Sequence, residues 1–323
     1  MRSEPARSSL SRRDFLGAGV VAGVGTALAA LLPAGRPAAA QAPASPLLIT
    51  KPIPSSGERL PAIGLGTDAF RADVREELRA EIGRMTELGG AVIDTAASYG
   101  DSEELIGDAL ASLGTRNKVF LATKLVGGES RFFSGPTGEK SLERSLERLK
   151  TQRIDLLQVH NLNGTAELIP LMQRWKKAGT IRYIGVTTSR PGQHADIAEA
   201  MRSYPLDFVQ VDYSIADRDA AETVLPIALE RRIAVLVNLP FGRSSLFREA
   251  AGRKLPEWAG EIEVASWAQY FLKYVISHPA VTCAIPGSTQ VAHLVDNQGA
   301  GRGHLPDAAM RRRMEGYWDS QPA

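Results

Sequence analysis

An alternation constrains this chain more than any other feature. From Gln41 onward eight short apolar runs, at 62–66, 91–93, 119–122, 154–159, 183–186, 208–211, 233–237 and 281–285, are separated by longer amphipathic segments. The runs largely lack strict polar alternation, as parallel strands covered on both faces do. Helical spacing fills the gaps. The segment 102–110 starts with a capping serine, Ser102, and an acidic first turn, and 141–149 puts Leu142, Leu146 and Leu149 on one face. Segments 166–178, 220–231 and 266–278 repeat the pattern, the last stopped by Pro279. Strand–helix alternation at this length allows a closed barrel or an open doubly wound sheet. The open sheet calls for a Gly-x-Gly-x-x-Gly turn, and Gly64-Leu65-Gly66-Thr67-Asp68-Ala69 lacks its third glycine. Eight runs without that turn predict an α/β fold, a (β/α)₈ TIM barrel. A hairpin over 48–59 is expected to plug its lower mouth, a C-terminal helix to complete it, and the long stretch 243–260 to form a cover over the site.

Residues 1–40 form a separate unit ahead of the barrel domain expected over 41–323. A basic stretch ends in Ser11-Arg12-Arg13-Asp14-Phe15-Leu16-Gly17, a Gly/Ala/Val/Leu run follows, and Ala38-Ala39-Ala40 closes the leader. Paired arginines before Phe-Leu, a weakly hydrophobic run and small terminal residues resemble a twin-arginine signal peptide. The expectation is export of the folded chain by the twin-arginine machinery to the periplasm, with no stable membrane insertion after processing. Of the formal charge of +2 the leader contributes +3, so the body is nearly neutral. A neutral body without a basic stripe argues against nucleic acid as partner. The single cysteine, Cys283, can form no internal disulfide and is expected to be a buried strand residue.

In such a barrel, reactive groups sit where strands end. Asp94, Lys124 and His160 end three consecutive apolar runs, and Tyr99 follows Asp94 within one loop. Each alone has an ordinary reading: a cap, a rim salt bridge, a packed ring, a satisfied imidazole. Together they compose a proton donor. A phenol has a pKa of about 10 and is a weak acid near neutrality. A buried ammonium beside it favours the phenolate and is expected to lower that value, while a carboxylate keeps the ammonium charged in the desolvated pocket. The imidazole is suited to orient a substrate oxygen or relay a proton. No metal is expected, because the five histidines show no ligand spacing.

The runs Ile93-Asp94-Thr95-Ala96-Ala97-Ser98-Tyr99-Gly100 and Ile154-Asp155-Leu156-Leu157-Gln158-Val159-His160 resemble the aldo/keto reductase family, and the likeness extends from about Leu60 to Asn297. It implies reduction of an aldehyde or ketone to an alcohol, or the reverse, with NADP as cofactor and NAD as the alternative. Tyr99 would be the general acid, Asp94 and Lys124 its tuning pair, and His160 the substrate-orienting group. The resemblance further implies cofactor contacts at Gly66, Thr67, Thr187, Thr188, Gln210, Leu239, Phe241, Gly242, Ser288, Asp296 and Asn297. Asn238 stands where relatives often stack an aromatic on nicotinamide. Gly287 and His293 replace cations that often grip the 2′-phosphate. Asp68 and Asn161 make the substrate mouth polar, which suits a polyol or sugar-like carbonyl. The competing reading is a non-catalytic or repurposed barrel that binds a nucleotide, ligand or protein partner, since a fold alone does not fix function.

Overall fold

The computed structural model describes residues 46–127 and 138–320. The leader expected over 1–40 lies outside the described residues. Two antiparallel strands come first, β1 (Thr50–Pro52) and β2 (Arg59–Pro61). Eight parallel strands follow: β3 (Leu65–Gly66), β4 (Val92–Asp94), β5 (Phe120–Leu125), β6 (Ile154–Val159), β7 (Ile181–Thr187), β8 (Phe208–Asp212), β9 (Ala234–Asn238) and β10 (Val281–Ala284). Helices α1 (Arg75–Glu87), α2 (Ser102–Leu113), α3 (Gly138–Arg148), α4 (Thr165–Ala178), α5 (His194–Ser203) and α6 (Asp219–Arg231) link successive strands as far as β9. Between β9 and β10 lie α7 (Ser245–Glu249) and α8 (Trp267–Ser277), while α9 (Val291–Ala300) and α10 (Ala308–Asp319) follow β10.

Each strand pairs with its neighbour in sequence, and the first meets the last. Bridges Ile63–Ala284 and Gly66–Gly287 close the ring, with the Gly66 amide donating to the Pro286 carbonyl at 3.0 Å. The approach requires glycine, because a Cβ on Gly66 would stand 2.7 Å from the Ile285 carbonyl oxygen. The expected (β/α)₈ barrel is present.

Alternation along each strand divides the core in two. Val92, Phe120, Ala122, Leu156, Tyr183, Phe208, Ala234, Leu236 and Cys283 fill the barrel, and Ile93, Leu121, Leu157, Ile184, Val209 and Val235 pack outward under the helices. At the N-terminal end the rings of Phe120, Tyr183 and Phe208 meet with centroids 5.5–5.9 Å apart. The β1–β2 hairpin covers this end, inserting Ile53 and Leu60 into the same cluster. Ser56 and Glu58 each accept or share a hydrogen bond with the Tyr183 hydroxyl at 2.8 Å, and Glu58 pairs with Arg182. At the C-terminal end the inward positions turn polar: Asp94, Lys124, Gln158, Thr187, Gln210 and Asn238. The apolar layers below thus support a polar floor above.

Two local expectations are corrected. Ser102 is the first residue of α2 rather than its cap, and its hydroxyl donates to Thr67 Oγ1 at 2.8 Å and lies 2.9 Å from Thr95 Oγ1. The stretch 243–260 reaches the cleft only through Arg243 and Ser244. Beyond these it packs on the body: Leu246 is buried, Trp258 sits against Tyr270 and Tyr317, and the Arg253 carbonyl accepts from Trp267 Nε1. The C-terminal helix α10 begins at Asp307, whose side chain accepts from the Met310 amide at 2.8 Å, and lays Trp318 on Phe271.

Candidate active site

The register of β4, β5 and β6 staggers their inward ends by one position: Asp94 pairs with Ala122, the inward residue before Lys124, and Lys124 pairs with Gln158. Lys124 Nζ donates to Asp94 Oδ2 at 2.5 Å and to the Thr95 carbonyl at 2.8 Å, with both side chains almost wholly out of solvent. Burial disfavours charge on each. The carboxylate 2.5 Å away nevertheless holds Lys124 above the ordinary lysine value. Removing one partner of such a pair costs about 3–5 kcal/mol, because the other charge is left without compensation.

Tyr99 arrives from the loop after β4. Its hydroxyl lies 3.5 Å from Lys124 Nζ, which also stands 4.9 Å from the ring centroid. Burial pushes the phenol upward, and the opposing pull of Lys124 does not overcome it. The expected lowering of the Tyr99 pKa is therefore not met: 3.5 Å is a long contact, and desolvation is the larger effect. His160 follows β6 and meets Tyr99 edge-on, centroids 5.7 Å apart, with Ser98 Oγ 3.2 Å from its Nδ1. Burial, Lys124 and Arg190 depress the imidazole to about 3, so it stays neutral near physiological pH. A neutral imidazole orients an oxygen; it is not a proton source there.

These groups open into a cleft of about 540 Å³ at the C-terminal mouth. Of the residues anticipated for cofactor contact, Gly66, Thr67, Thr187, Gln210, Leu239, Phe241 and Ser288 line it. Four do not. Thr188 is fully buried, its hydroxyl donating to Gln193 at 2.7 Å, so it pins the loop after β7. Gly242, at φ +54°, makes the turn after Leu239 without lining the wall. Asp296 accepts from Ser266 Oγ and Gln269 Nε2, each at 2.7 Å, and so faces α8. Asn297 is buried. Thr67 lines the cleft but is itself nearly inaccessible, donating to the Asp94 carbonyl at 3.0 Å. Asn238, Gly287, His293, Asp68 and Asn161 all reach the wall.

Sequence reasoning passed over Gln158. Fully buried, it donates to Asp94 Oδ1 at 3.3 Å and to Gln210 Oε1 at 2.9 Å, while Gln210 Nε2 approaches Asp94 Oδ2 at 3.4 Å. Burial pushes the Asp94 carboxyl above the ordinary value, and Lys124 and both amides act against that rise. The clue lay in a glutamine two residues before His160, at an inward position of β6. A larger hollow of about 780 Å³ opens on the hairpin side, beside Glu58, Arg116 and Arg182. Arg116 and Arg182 there are paired with Asp155, and the Tyr99 group does not line it.

The family model of the aldo/keto reductase family matches residues 62–315. The chain is 29% identical to the aldo-keto reductase yakc [NADP(+)] of Schizosaccharomyces pombe, over 80% of this chain and 88% of that protein. It is 30% identical to the methylglyoxal reductase YeaE of Escherichia coli, over 83% and 95% respectively. Among solved structures it resembles an aldo/keto reductase from Klebsiella pneumoniae in complex with NADP and acetate, with a TM-score of 0.68 and 25% identity, covering 83% of this chain and 94% of that one. The matched segment includes all eight barrel strands and the whole Tyr99 cluster, and this chain belongs to the aldo/keto reductase family.

Proposed function

We propose that this chain reduces the carbonyl of an aldehyde or ketone with NADPH, Tyr99 acting as general acid. The observation that carries the reading is the buried Asp94–Lys124 pair beside the Tyr99 hydroxyl at the open end of the barrel. NADP enters through the relatives, one named for NADP(+) and one solved with NADP. The residues present suit a dinucleotide. Thr187, Gln210 and Asn238 offer hydroxyl and amide groups beside the acid, while Arg243, Ser244, Ser288 and Thr289 offer a cation and hydroxyls after β9 and β10. The floor between is free of side chains at Gly66 and Gly287, where a Cβ on Gly287 would stand 3.6 Å from Asp68 Oδ1.

When bound, NADPH supplies hydride. This chain's own part is to hold the carbonyl oxygen between Tyr99 and His160 and to give the developing alkoxide a proton. Tyr99 remains a phenol at neutral pH and so carries that proton, and an alkoxide is basic enough to take it. Lys124 then neutralises the phenolate that results, and Asp94, held by Gln158 and Gln210, keeps Lys124 in place. His160, neutral and tied to Ser98, fixes the direction of the oxygen. Asp68 and Asn161 at the wall favour a hydroxyl-rich carbonyl compound as substrate.

A panel of aldehydes, ketones and sugar-like carbonyls, followed by NADPH consumption, tests this directly. Turnover with at least one class is expected, alongside quenching of tryptophan fluorescence on nucleotide titration. Quenching without turnover on any carbonyl would favour the competing reading, a barrel that only binds. The leader supports a periplasmic location for the mature chain. Fractionation that recovers it only from the cytoplasm would overturn that part.

A further inference from the structure

The larger hollow, on the hairpin side of the barrel, is not used by the chemistry above. It lies between β2 of the hairpin and the loops that follow α2 and α3. Leu60, Val119 and Phe120 give its wall an apolar part, and five cations stand around them: Arg59, Arg116, Lys118, Arg153 and Arg182. Against these the lining holds two carboxylates, Glu58 and Asp155, which leaves three positive charges unbalanced.

Both carboxylates are already engaged. Asp155 accepts from Arg182 Nη1 at 2.9 Å, from Arg116 Nη2 at 3.1 Å and from the Leu121 amide at 2.9 Å. Glu58 pairs with Arg182 and accepts from the Tyr183 hydroxyl. Arg116 also donates to the carbonyls of Val119 and Arg153 and to the Thr151 hydroxyl, so its guanidinium is a fixed part of the wall. Arg59 donates to neutral groups, the hydroxyl and carbonyl of Thr50. Among the described residues, the ion pairs of this wall are Arg116–Asp155, Arg182–Asp155 and Arg182–Glu58, and none includes Arg59, Lys118 or Arg153. The C-terminus of α2, the other negative feature here, has its last-turn carbonyls bonded by the Gly114 and Thr115 amides.

We propose that this hollow is a second ligand site, for a small polyanion built from phosphate or carboxylate groups. Like charges gathered on one wall repel one another. An anion among them relieves that repulsion and gives Lys118 and Arg153 the partners they lack. Shape selects a small molecule: at about 780 Å³ the hollow has the size of ligand pockets, and its cations surround a concavity rather than run along a flat face. The wall is assembled from the hairpin, two loops and the starts of β5, β6 and β7, so it exists only in the folded barrel. Occupancy therefore stabilises the fold by mass action. The inference draws on neither the cofactor nor the Tyr99 cluster.

The test is calorimetry with inorganic pyrophosphate and with citrate at about 50 mM salt, where screening is weak. It compares the unaltered protein, the double variant Lys118→Ala/Arg153→Ala and, as a control in the other cleft, Arg243→Ala. Lys118 and Arg153 are exposed, so the double variant should fold, and its melting temperature without ligand checks this. At least one anion should bind the unaltered protein; the double variant should bind it at least about tenfold more weakly, and Arg243→Ala should stay within about twofold. The anion should also raise the melting temperature of the unaltered protein more than that of the double variant. Equal affinity in the unaltered protein and the double variant overturns the proposal, as does a loss confined to Arg243→Ala, which would place the anion beside Tyr99. Binding of a hexaglutamate peptide while neither small anion binds overturns it in favour of an acidic protein partner. Each of these outcomes leaves the carbonyl-reduction reading to its own NADPH assay.

Discussion

Tyr99 is held as a phenol because desolvation outweighs the ammonium 3.5 Å away. On the proposed mechanism that balance gives the two directions of reaction different pH dependences. Carbonyl reduction needs the proton on Tyr99 and should stay nearly level from about pH 6 to about pH 9, below the range where a buried phenol ionises. Alcohol oxidation needs the phenolate and should climb steadily over the same interval. Initial rates in both directions check this, and an oxidation rate that is flat with pH would contradict it. Asp94, Lys124 and His160 were legible because each ends an apolar run, and Tyr99 because it follows Asp94 within one loop. Their electrostatics were not, because burial is a property of the assembled barrel. The strand-end chemistry implied a buried Lys124, as found, but not that desolvation would prevail at Tyr99 or drive His160 to about 3. Gln158 was missed for a related reason: its amide matters only once β4, β6 and β8 set it against Asp94 and Gln210.

At the level of elements, hydrophobic period and strand spacing located the hairpin, the eight strands and most helices. Side-chain commitments at their ends were harder to read. Ser102 has the sequence of a cap, yet the hydroxyls of Thr67 and Thr95, just past β3 and β4, converge at that point and take its hydrogen bonds. Asp296 fits a nucleotide contact by position along the chain, yet α8 presents Ser266 and Gln269 to it first. The segment 243–260 looked like a cover because it is long; Leu246 and Trp258 anchor it to the body instead. The hairpin plug carries a clear energetic expectation. Ile53 is wholly buried among the barrel's interior residues, so Ile53→Ala should lower stability by about 2–5 kcal/mol. Urea denaturation checks the loss, and nucleotide affinity should be unchanged, since the plug lies at the end of the barrel away from the cleft. A shift within error of zero would mean that the hairpin merely lies over the mouth.

Over the whole molecule, one closed sheet keeps apolar layers beneath a polar one, and chemistry becomes available only at the end where the polar layer meets the cleft. Closure depends on Gly66 passing the Ile285 carbonyl, and the same strands that close the ring carry Gly66 and Gly287 to the cleft floor. The fold thereby brings a carboxylate, a phenol and an imidazole into the cleft wall, with the Lys124 ammonium buried behind them. The decisive measurement is single-turnover hydride transfer from NADPH-loaded protein, unaltered and with Tyr99→Phe, using any carbonyl that the unaltered protein reduces. Loss of the phenolic proton should slow transfer by at least about 100-fold while the Kd for NADPH stays within about threefold. Transfer at an undiminished rate in the phenylalanine variant would show that the proton comes from elsewhere and would contradict the assignment of Tyr99.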